Sequence, residues 1–348
     1  MDNENSSKLT PTQIKAFAAA FLGWTFDGLA GYLYVIVAQR FVGELLGKAP
    51  TDPDTIAKAT IIQAVFLVGW AVGGIVFGRL GDSLGRSRTL TLTVLTYALF
   101  TGASFFATEW WHLLIFRFIA ALGIGGEWAA GCALVVETLH GKHRVWAGAL
   151  LQSGYMVGCI MASLTAGFMK DLDARWVFVV GVAPALLTVF IRRAVPEPEA
   201  WQKAKTAQAM PPISSLFTGA LAKRTLIAMA FVSIALIISW AFLFFMNFAI
   251  RAMPEMQGKT PSEIAEVTSR VAVVYFSVNI AANFFATYLA KAVGYRWSFF
   301  IMMGTALVVM WVGFGQPLTF GWGLHNVYLV ASLTAFFGLG FFGMFPMY

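Results

Sequence analysis

Residues 58–79 read KATIIQAVFLVGWAVGGIVFGR, residues 80–87 read LGDSLGRS, and residues 88–108 read RTLTLTVLTYALFTGASFFAT. Two long apolar runs flank a short segment rich in glycine and arginine, and this alternation decides the fold. A helical membrane span needs about 20 consecutive, mostly apolar residues. A spanning β-strand needs only about 10. In lipid, only helices and closed barrels satisfy their own backbone hydrogen bonds. These runs are too long for barrel strands, so they are helices.

The pattern repeats in both directions from this stretch. Ten runs lie at 15–40, 58–79, 88–108, 111–138, 145–169, 176–195, 223–250, 268–290, 295–315 and 326–348. Apolar residues make up 59% of the chain and charged residues 12%, against roughly 25% charged in an ordinary soluble domain. A soluble domain is excluded. The polar first sixteen residues carry no short apolar stretch with a small-residue cleavage site, so no cleaved signal peptide is expected. Cys132 and Cys159 sit inside apolar runs as small packing residues, and no metal-ligand spacing involves them. His112, His140, His143 and His325 fall at span ends or in loops, far apart. No phosphate-cradling loop of the P-loop type is present. The chain therefore reads as neither an enzyme nor an ATP-driven pump, and no cofactor is expected.

The net charge of +7 follows topology rather than nucleic acid binding. With the N-terminus in the cytoplasm, 15 lysines and arginines fall on the inner side and 8 on the outer side, with Arg117 inside the fourth run. Lysine and arginine favour cytoplasmic loops, and the inner excess suits anionic lipid head groups. The expectation is a monomeric, multi-pass protein of the cell (inner) membrane with its N-terminus inside.

Residues 196–222 stand apart as a polar loop carrying Pro196, Pro198, Pro211 and Pro212. They divide the chain into 1–195, with six runs, and 223–348, with four. Two halves joined by such a loop are common among transporters. Two internal echoes fit that plan. Aligning Gly85 with Gly294 sets Leu80 on Leu289, although Lys291 replaces the acid. Gly123-Ile124-Gly125 is matched by Gly338-Leu339-Gly340. A six-plus-six plan is thus expected, with two further spans beyond the given ten.

The segment Gly78-x-Leu80-Gly81-Asp82-x-x-Gly85-Arg86-x-x-x-Leu90 resembles the signature between helices two and three of the major facilitator superfamily. Ser87 departs from it, and Arg88 stands beside that position. The run Arg117-Phe118-Ile119-Ala120-Ala121-Leu122-Gly123-Ile124-Gly125-Gly126-Glu127-Trp128 is similar to the helix-four motif of proton-coupled metabolite symporters. That branch handles sialate, monocarboxylates and aromatic acids. Ala121 departs where glycine is usual. Leu151-Gln152-Ser153-Gly154-Tyr155-x-x-Gly158 is similar to the same branch, and Pro196-Glu197 with Trp201 is similar to the loop after helix six of sugar and organic-ion carriers. The resemblance implies an all-α major facilitator fold, with a six-helix N-terminal bundle and an incomplete four-helix C-terminal bundle, working by alternating access. It also implies that Gly78, Asp82, Gly85, Arg86 and Arg88 form a conformational latch between the halves. By elementary chemistry, Asp82 should pair with one of Arg79, Arg86 and Arg88, and Gly78 and Gly85 permit tight turning and close approach.

Charges inside spans are costly, at about 2.5–3.5 kcal/mol each by insertion scales. Asp27 in span one and Arg117 in span four are expected to pair. Protonating Asp27 would then free Arg117 for an anionic substrate; the pair could also be purely structural. Glu127 lies ten residues past Arg117, roughly 15 Å along a helix. It is read as a proton carrier or as a packing anchor. Glu137 reads as a solvated or loop-paired acid. Tyr275, Asn279 and Asn283 share one face of span eight. They are candidates, with Gln152, for binding substrate oxygens, or for hydrogen bonding between helices. Gly69-x-x-x-Gly73 and Gly154-x-x-x-Gly158 read as packing faces. The functional expectation is symport of a proton with a small organic anion, a monocarboxylate or sugar acid. A sugar or polyol carrier and a non-transporting receptor or truncated remnant are the alternatives.

Overall fold

The computed structural model describes residues 9–139, 142–199, 201–202, 213–314 and 324–339. Among them every regular element is helical. The long helices are α1 Pro11–Leu46, α2 Pro53–Leu84, α3 Arg86–Ala103, α4 Trp110–Thr138 and α5 Lys142–Phe168. Two short pieces follow, α6 Val177–Val180 and α7 Leu187–Ala194, and then α8 Gly219–Ala252, α9 Pro261–Val293, α10 Tyr295–Phe314 and α11 Leu324–Thr334. Among the described residues six helices are long and apolar enough to cross a membrane by length and composition. Leucines, isoleucines and tryptophans stand exposed along α8 and α10, among them Ile227, Ile234, Leu307 and Trp311. Apolar surface of this extent suits lipid rather than water.

Several helices outrun their apolar windows, because polar caps add turns. Thr10 opens α1 with a capping box: its hydroxyl accepts from the Gln13 amide at 3.3 Å, and the Gln13 side chain accepts from the Thr10 amide at 2.9 Å. Thr260 and Glu263 repeat the device at α9, again with proline in the first turn. The sixth run, expected as one helix over 176–195, is broken. A 3₁₀ turn at Ala183–Leu186 carrying Pro184 separates α6 from α7. Proline removes an amide and clashes with the preceding turn. In the tenth run α11 ends in a π-helical turn, Ala335–Leu339, and residues 340–348 lie outside the described residues, as does the Gly340 part of the second echo.

The expected hairpin 78–86 is tighter than its sequence implied. Residues as far as Leu84 are helical, and Gly85 alone joins α2 to α3, with φ 114° and ψ 155°. Gly294 alone joins α9 to α10, with φ 82° and ψ 154°. Each glycine amide donates to a carbonyl four residues back, Gly81 at 3.2 Å and Ala290 at 3.0 Å. Each glycine carbonyl accepts from the residue four ahead, Thr89 at 3.2 Å and Ser298 at 3.1 Å. The aligned glycines are one joint built twice. Positive φ favours glycine at both. Gly78, by contrast, lies inside α2, and a Cβ there would make only ordinary contact with Ala129. The close approach expected of it is not required.

Helix α1 is buried over most of its length against α5, α4 and α2. Backbone contact makes this possible. A Cβ on Gly158 of α5 would fall 1.7 Å from the Thr25 carbonyl oxygen, and one on Gly28 would fall 2.2 Å from that of Tyr155. Gly73 of α2 meets Leu122 of α4 in the same way. The two small-residue faces read from the sequence thus pack α5 on α1 and α2 on α4. Among the described residues neither Cys132 nor Cys159 forms a disulfide.

At the end of the bundle opposite Gly85, Arg40 of α1 donates to the carbonyls of Lys170 and Leu172. Lys170 pairs with Glu266 of α9 at 2.7 Å. The Glu266 carboxylate holds the Lys170 ammonium above its ordinary value. On the lysine side this tie is therefore intact below the ordinary lysine range and is lost as pH climbs through the raised value; on the acid side it is lost when the Glu266 carboxylate takes up a proton.

Gly158→Ala should lower the thermal midpoint by several degrees, since overpacking a backbone contact costs about 1–3 kcal/mol or more. Gly304→Ala, on an exposed face of α10 with open space around its Cβ, should leave it unchanged or raise it, because alanine is the better helix former by about 1 kcal/mol. The reverse ranking in a detergent melt would sink the packing argument.

Candidate functional site

Helices α1 and α4 pack antiparallel, and their register assembles the site. Arg117 lies beside Ala30 and Gly31: Nη1 donates to the Ala30 carbonyl at 3.0 Å and Nη2 to that of Gly31 at 3.4 Å. Its guanidinium carbon stands 4.6 Å from the Phe66 ring centre and 5.5 Å from that of Tyr34. Farther along α4, Glu127 lies beside Gly23, where a Cβ would fall 2.3 Å from its Oε1. Glycine at 23 is what admits the glutamate side chain. The expected ion pair between Asp27 and Arg117 is not formed. Ala30 and Gly31 lie about one helical turn, roughly 5 Å, beyond Asp27, so the guanidinium meets carbonyls instead of the carboxylate.

The neighbour of Asp27 is Glu127. Their carboxyl groups lie against each other. Both are at most 1% exposed, and Arg117 is fully buried. Among the described residues no group outside the pair donates a hydrogen bond to any of the four carboxyl oxygens, and the nearby Tyr97 hydroxyl and the Arg117 Nε are also unmatched. Such groups are costly in an apolar interior unless a proton, ion or ligand completes them. Among the described residues the site therefore sets a carboxyl pair with no cation a turn away from a guanidinium with no anion.

Around it stands a cluster of rings that sequence reasoning missed. Trp24 of α1 lies 4.3 Å from Trp128 of α4 and 4.8 Å from Tyr155 of α5, measured between ring centres. Trp70 of α2 lies 6.1 Å from Tyr155 and 5.5 Å from Trp240 of α8. Local signals existed for Trp24, three residues before Asp27, and for Trp128, next to Glu127. Trp240 had none.

The polar face of α9 is buried but serves two ends. The Asn279 side-chain amide donates to the Ala335 carbonyl at 2.9 Å, a bond between helices. Asn283 reaches the Ser153 hydroxyl at 3.5 Å, beside the buried Gln152 on α5. Tyr275 stacks on Phe242 at 5.8 Å, and its hydroxyl is unmatched. Among the described residues no hydrogen bond joins this face to Asp27, Arg117 or Glu127.

At the Gly85 end, Arg86 bridges Asp82 at 2.8 Å and Glu137 at 2.9 Å. Asp82 thus finds the cation expected of it, and Glu137 is the loop-paired acid. The Glu197 carboxylate accepts from the Ser87 and Arg88 amides, both at 3.1 Å. It thereby caps α3, where the helix dipole favours an anion. The Trp201 indole donates to the Asp82 carbonyl at 2.9 Å. Arg88 contributes its backbone here, and its side chain is exposed. Glu197 and Trp201 are thereby moored to the α2–α3 joint. Residues 200 and 203–212 of the polar loop lie outside the described residues.

A sequence model described as Major Facilitator Superfamily matches residues 16–348. The chain belongs to the major facilitator superfamily. The sialic acid transporter NanX of Escherichia coli is 32% identical over 195 residues, covering 56% of this chain and 46% of that protein. The cis,cis-muconate transport protein of Acinetobacter baylyi is 31% identical over 207 residues, covering 59% of this chain and 48% of that protein. The chain thus spans about half the length of the curated relatives it matches. A partially occluded, inward-open structure of the E. coli xylose transporter XylE superposes with a TM-score of 0.68 at 15% identity, covering 97% of this chain and 84% of that one. At that identity the likeness shows the shared fold.

In this major facilitator chain Glu197→Ala should loosen the α2–α3 joint. Loss of a capping acceptor costs about 1–2 kcal/mol, read as a lower thermal midpoint and faster proteolysis near residue 85. Glu197→Gln, which keeps an acceptor oxygen but not the charge, should fall between. Equal stability of all three forms would remove the cap.

Proposed function

We propose that this chain belongs to a proton-coupled symporter that carries a small organic anion by alternating access. Residues 1–195 and 223–348 act as the two rocking units and 196–222 as their link. The carrier works as a monomer in the cell membrane, with its N-terminus and the Gly85 end inside. It is a carrier rather than an enzyme. One observation carries this reading: the site separates a cation-free carboxyl pair, Asp27–Glu127, from an anion-free guanidinium, Arg117, on the same pair of helices.

Each half of that arrangement has one inexpensive completion. Two adjacent carboxylates in a water-poor site repel each other and are relieved by one shared proton. A buried guanidinium bound only to carbonyls and ring faces is relieved by an anion, and its planar fork suits a carboxylate. The proton therefore need not break an Asp27–Arg117 pair. It settles α1 against α4 at one level while the substrate engages α1 and α4 a turn away, so both cargoes bias the same helix packing. The relatives named for sialic acid and cis,cis-muconate transport support an organic acid as cargo. A D-xylose-proton symporter shares the fold, with a TM-score of 0.65 at 15% identity.

In full-length carrier reconstituted in liposomes, Asp27→Asn and Glu127→Gln should each abolish uptake against a gradient yet spare exchange of substrate across the membrane. Concentrative uptake by either variant would overturn the shared-proton role. Arg117→Lys should weaken carboxylate binding about tenfold, since lysine lacks the bidentate fork. Unchanged affinity would remove Arg117 from the site.

A further inference from the structure

We infer that the end of the bundle opposite Gly85 holds a second anion site, in which a small, singly charged anion sits on the Arg251 guanidinium of α8, faces the Arg40 guanidinium of α1 and so bridges the two proposed rocking units. The site is separate from the one at Arg117 and rests on the reading above only for the division into those units.

Arg251 stands in the last turn of α8. Its Nε is buried without a hydrogen-bond partner, although the residue as a whole is only partly buried. Among the described residues no hydrogen bond or ion pair engages its two terminal nitrogens either, and these keep access to open space. A helix C-terminus favours a cation, which accounts for a positive residue here. It does not account for a buried donor with no acceptor, which is costly.

The charge that bears on Arg251 is another cation. Arg40 stands near enough to repel it. Arg40 itself is fully engaged: Nε donates to Glu44 at 3.0 Å, and the terminal nitrogens donate to the carbonyls of Lys170 and Leu172. It is therefore held in place. The two units are in direct contact beside it. The Lys170 carbonyl that accepts from Arg40 at 2.7 Å also accepts from the Ser262 hydroxyl of α9 at 3.2 Å. Glu266 of α9 is taken by Lys170 and Arg270 together. Glu44 and Glu266 are thus committed to other cations, and the exposed Glu255 forms no ion pair with Arg251.

Bringing α1 and α8 together therefore sets two guanidinium groups side by side, with one positive charge left over after Glu44. An anion between them offsets the repulsion and fills the unused fork, whose charge-assisted donors are strong. Two sources share that chemistry, a halide of the medium and the carboxylate of the cargo itself.

The thermal midpoint of the full-length carrier in lipid-free detergent tests this, with sodium chloride or sodium acetate replacing the sodium salt of a bulky sulfonate at equal ionic strength. Chloride, acetate or both should raise the midpoint by about 2–4 °C. Chloride alone assigns the seat to a halide, acetate alone to a carboxylate, and both to any small anion. Arg251→Gln should remove the shift, and Arg251→Lys should keep part of it. Asn247, one turn before Arg251, is buried with its side-chain oxygen unmatched. Asn247→Asp places an acid within reach of Arg251, so it should raise the midpoint without added anion and abolish the response. No shift with either salt, or a shift undiminished in Arg251→Gln and Asn247→Asp, overturns the site. A shift lost in Arg117→Lys but kept in Arg251→Gln places the anion at the central site; it overturns this inference and leaves the carrier reading standing. Should Arg251→Gln fail to fold, Asn247→Asp decides.

Discussion

A charge inside a bilayer must be completed by something, and this constraint organises the α1–α4 interface. Three ionisable side chains lie buried there, and among the described residues none of them is answered by an ion pair. A stable structural core would pair them or replace them with apolar residues of similar size. Leaving them open is costly unless the completing partners come from outside and leave again. The glycines at 23, 28, 31 and 158 serve the same end. They bring backbones close enough that a buried carboxyl pair, a guanidinium and a phenol share one small volume.

The rest of the architecture holds that volume in place. One end is moored by Glu197 on the amides of α3 and by Arg86 between two acids. The other is tied by Arg40 on two carbonyls and by Lys170 on Glu266. The repeated one-residue joints at Gly85 and Gly294 turn α2 into α3 and α9 into α10 with no slack. Each such pair of helices should move as a unit rather than bend at its turn.

The amino-acid pattern made the fold legible and the site only half so. Apolar length and charge placement suffice for spans, because lipid forces the backbone to close its own hydrogen bonds. The equivalence of Gly85 and Gly294 was visible because a positive φ leaves few residues to choose from. Span ends were misplaced where Thr-Pro caps extend a helix beyond its apolar window, and the sixth run broke at Pro184. The pairing of Asp27 was misread for a geometric reason. A sequence gives the height of each residue on its own helix, but not the register between two antiparallel helices. A one-turn offset sends Arg117 to Ala30 and Gly31 and brings Glu127 within reach. The ring cluster was invisible for a related reason: it draws on five helices, and no local spacing links Trp240 to Trp24.

The one-turn offset between the carboxyl pair and Arg117 also has an electrical consequence. In the proposed symport, proton and anion would have separate seats, so neither need displace the other, and a cycle carrying one of each would move no net charge. The membrane potential, worth roughly 2.3 kcal/mol per elementary charge per 100 mV, then does no work on the loaded step. Such a carrier would be a chemical engine indifferent to voltage, driven by the difference in acidity across the membrane and stalled by its collapse.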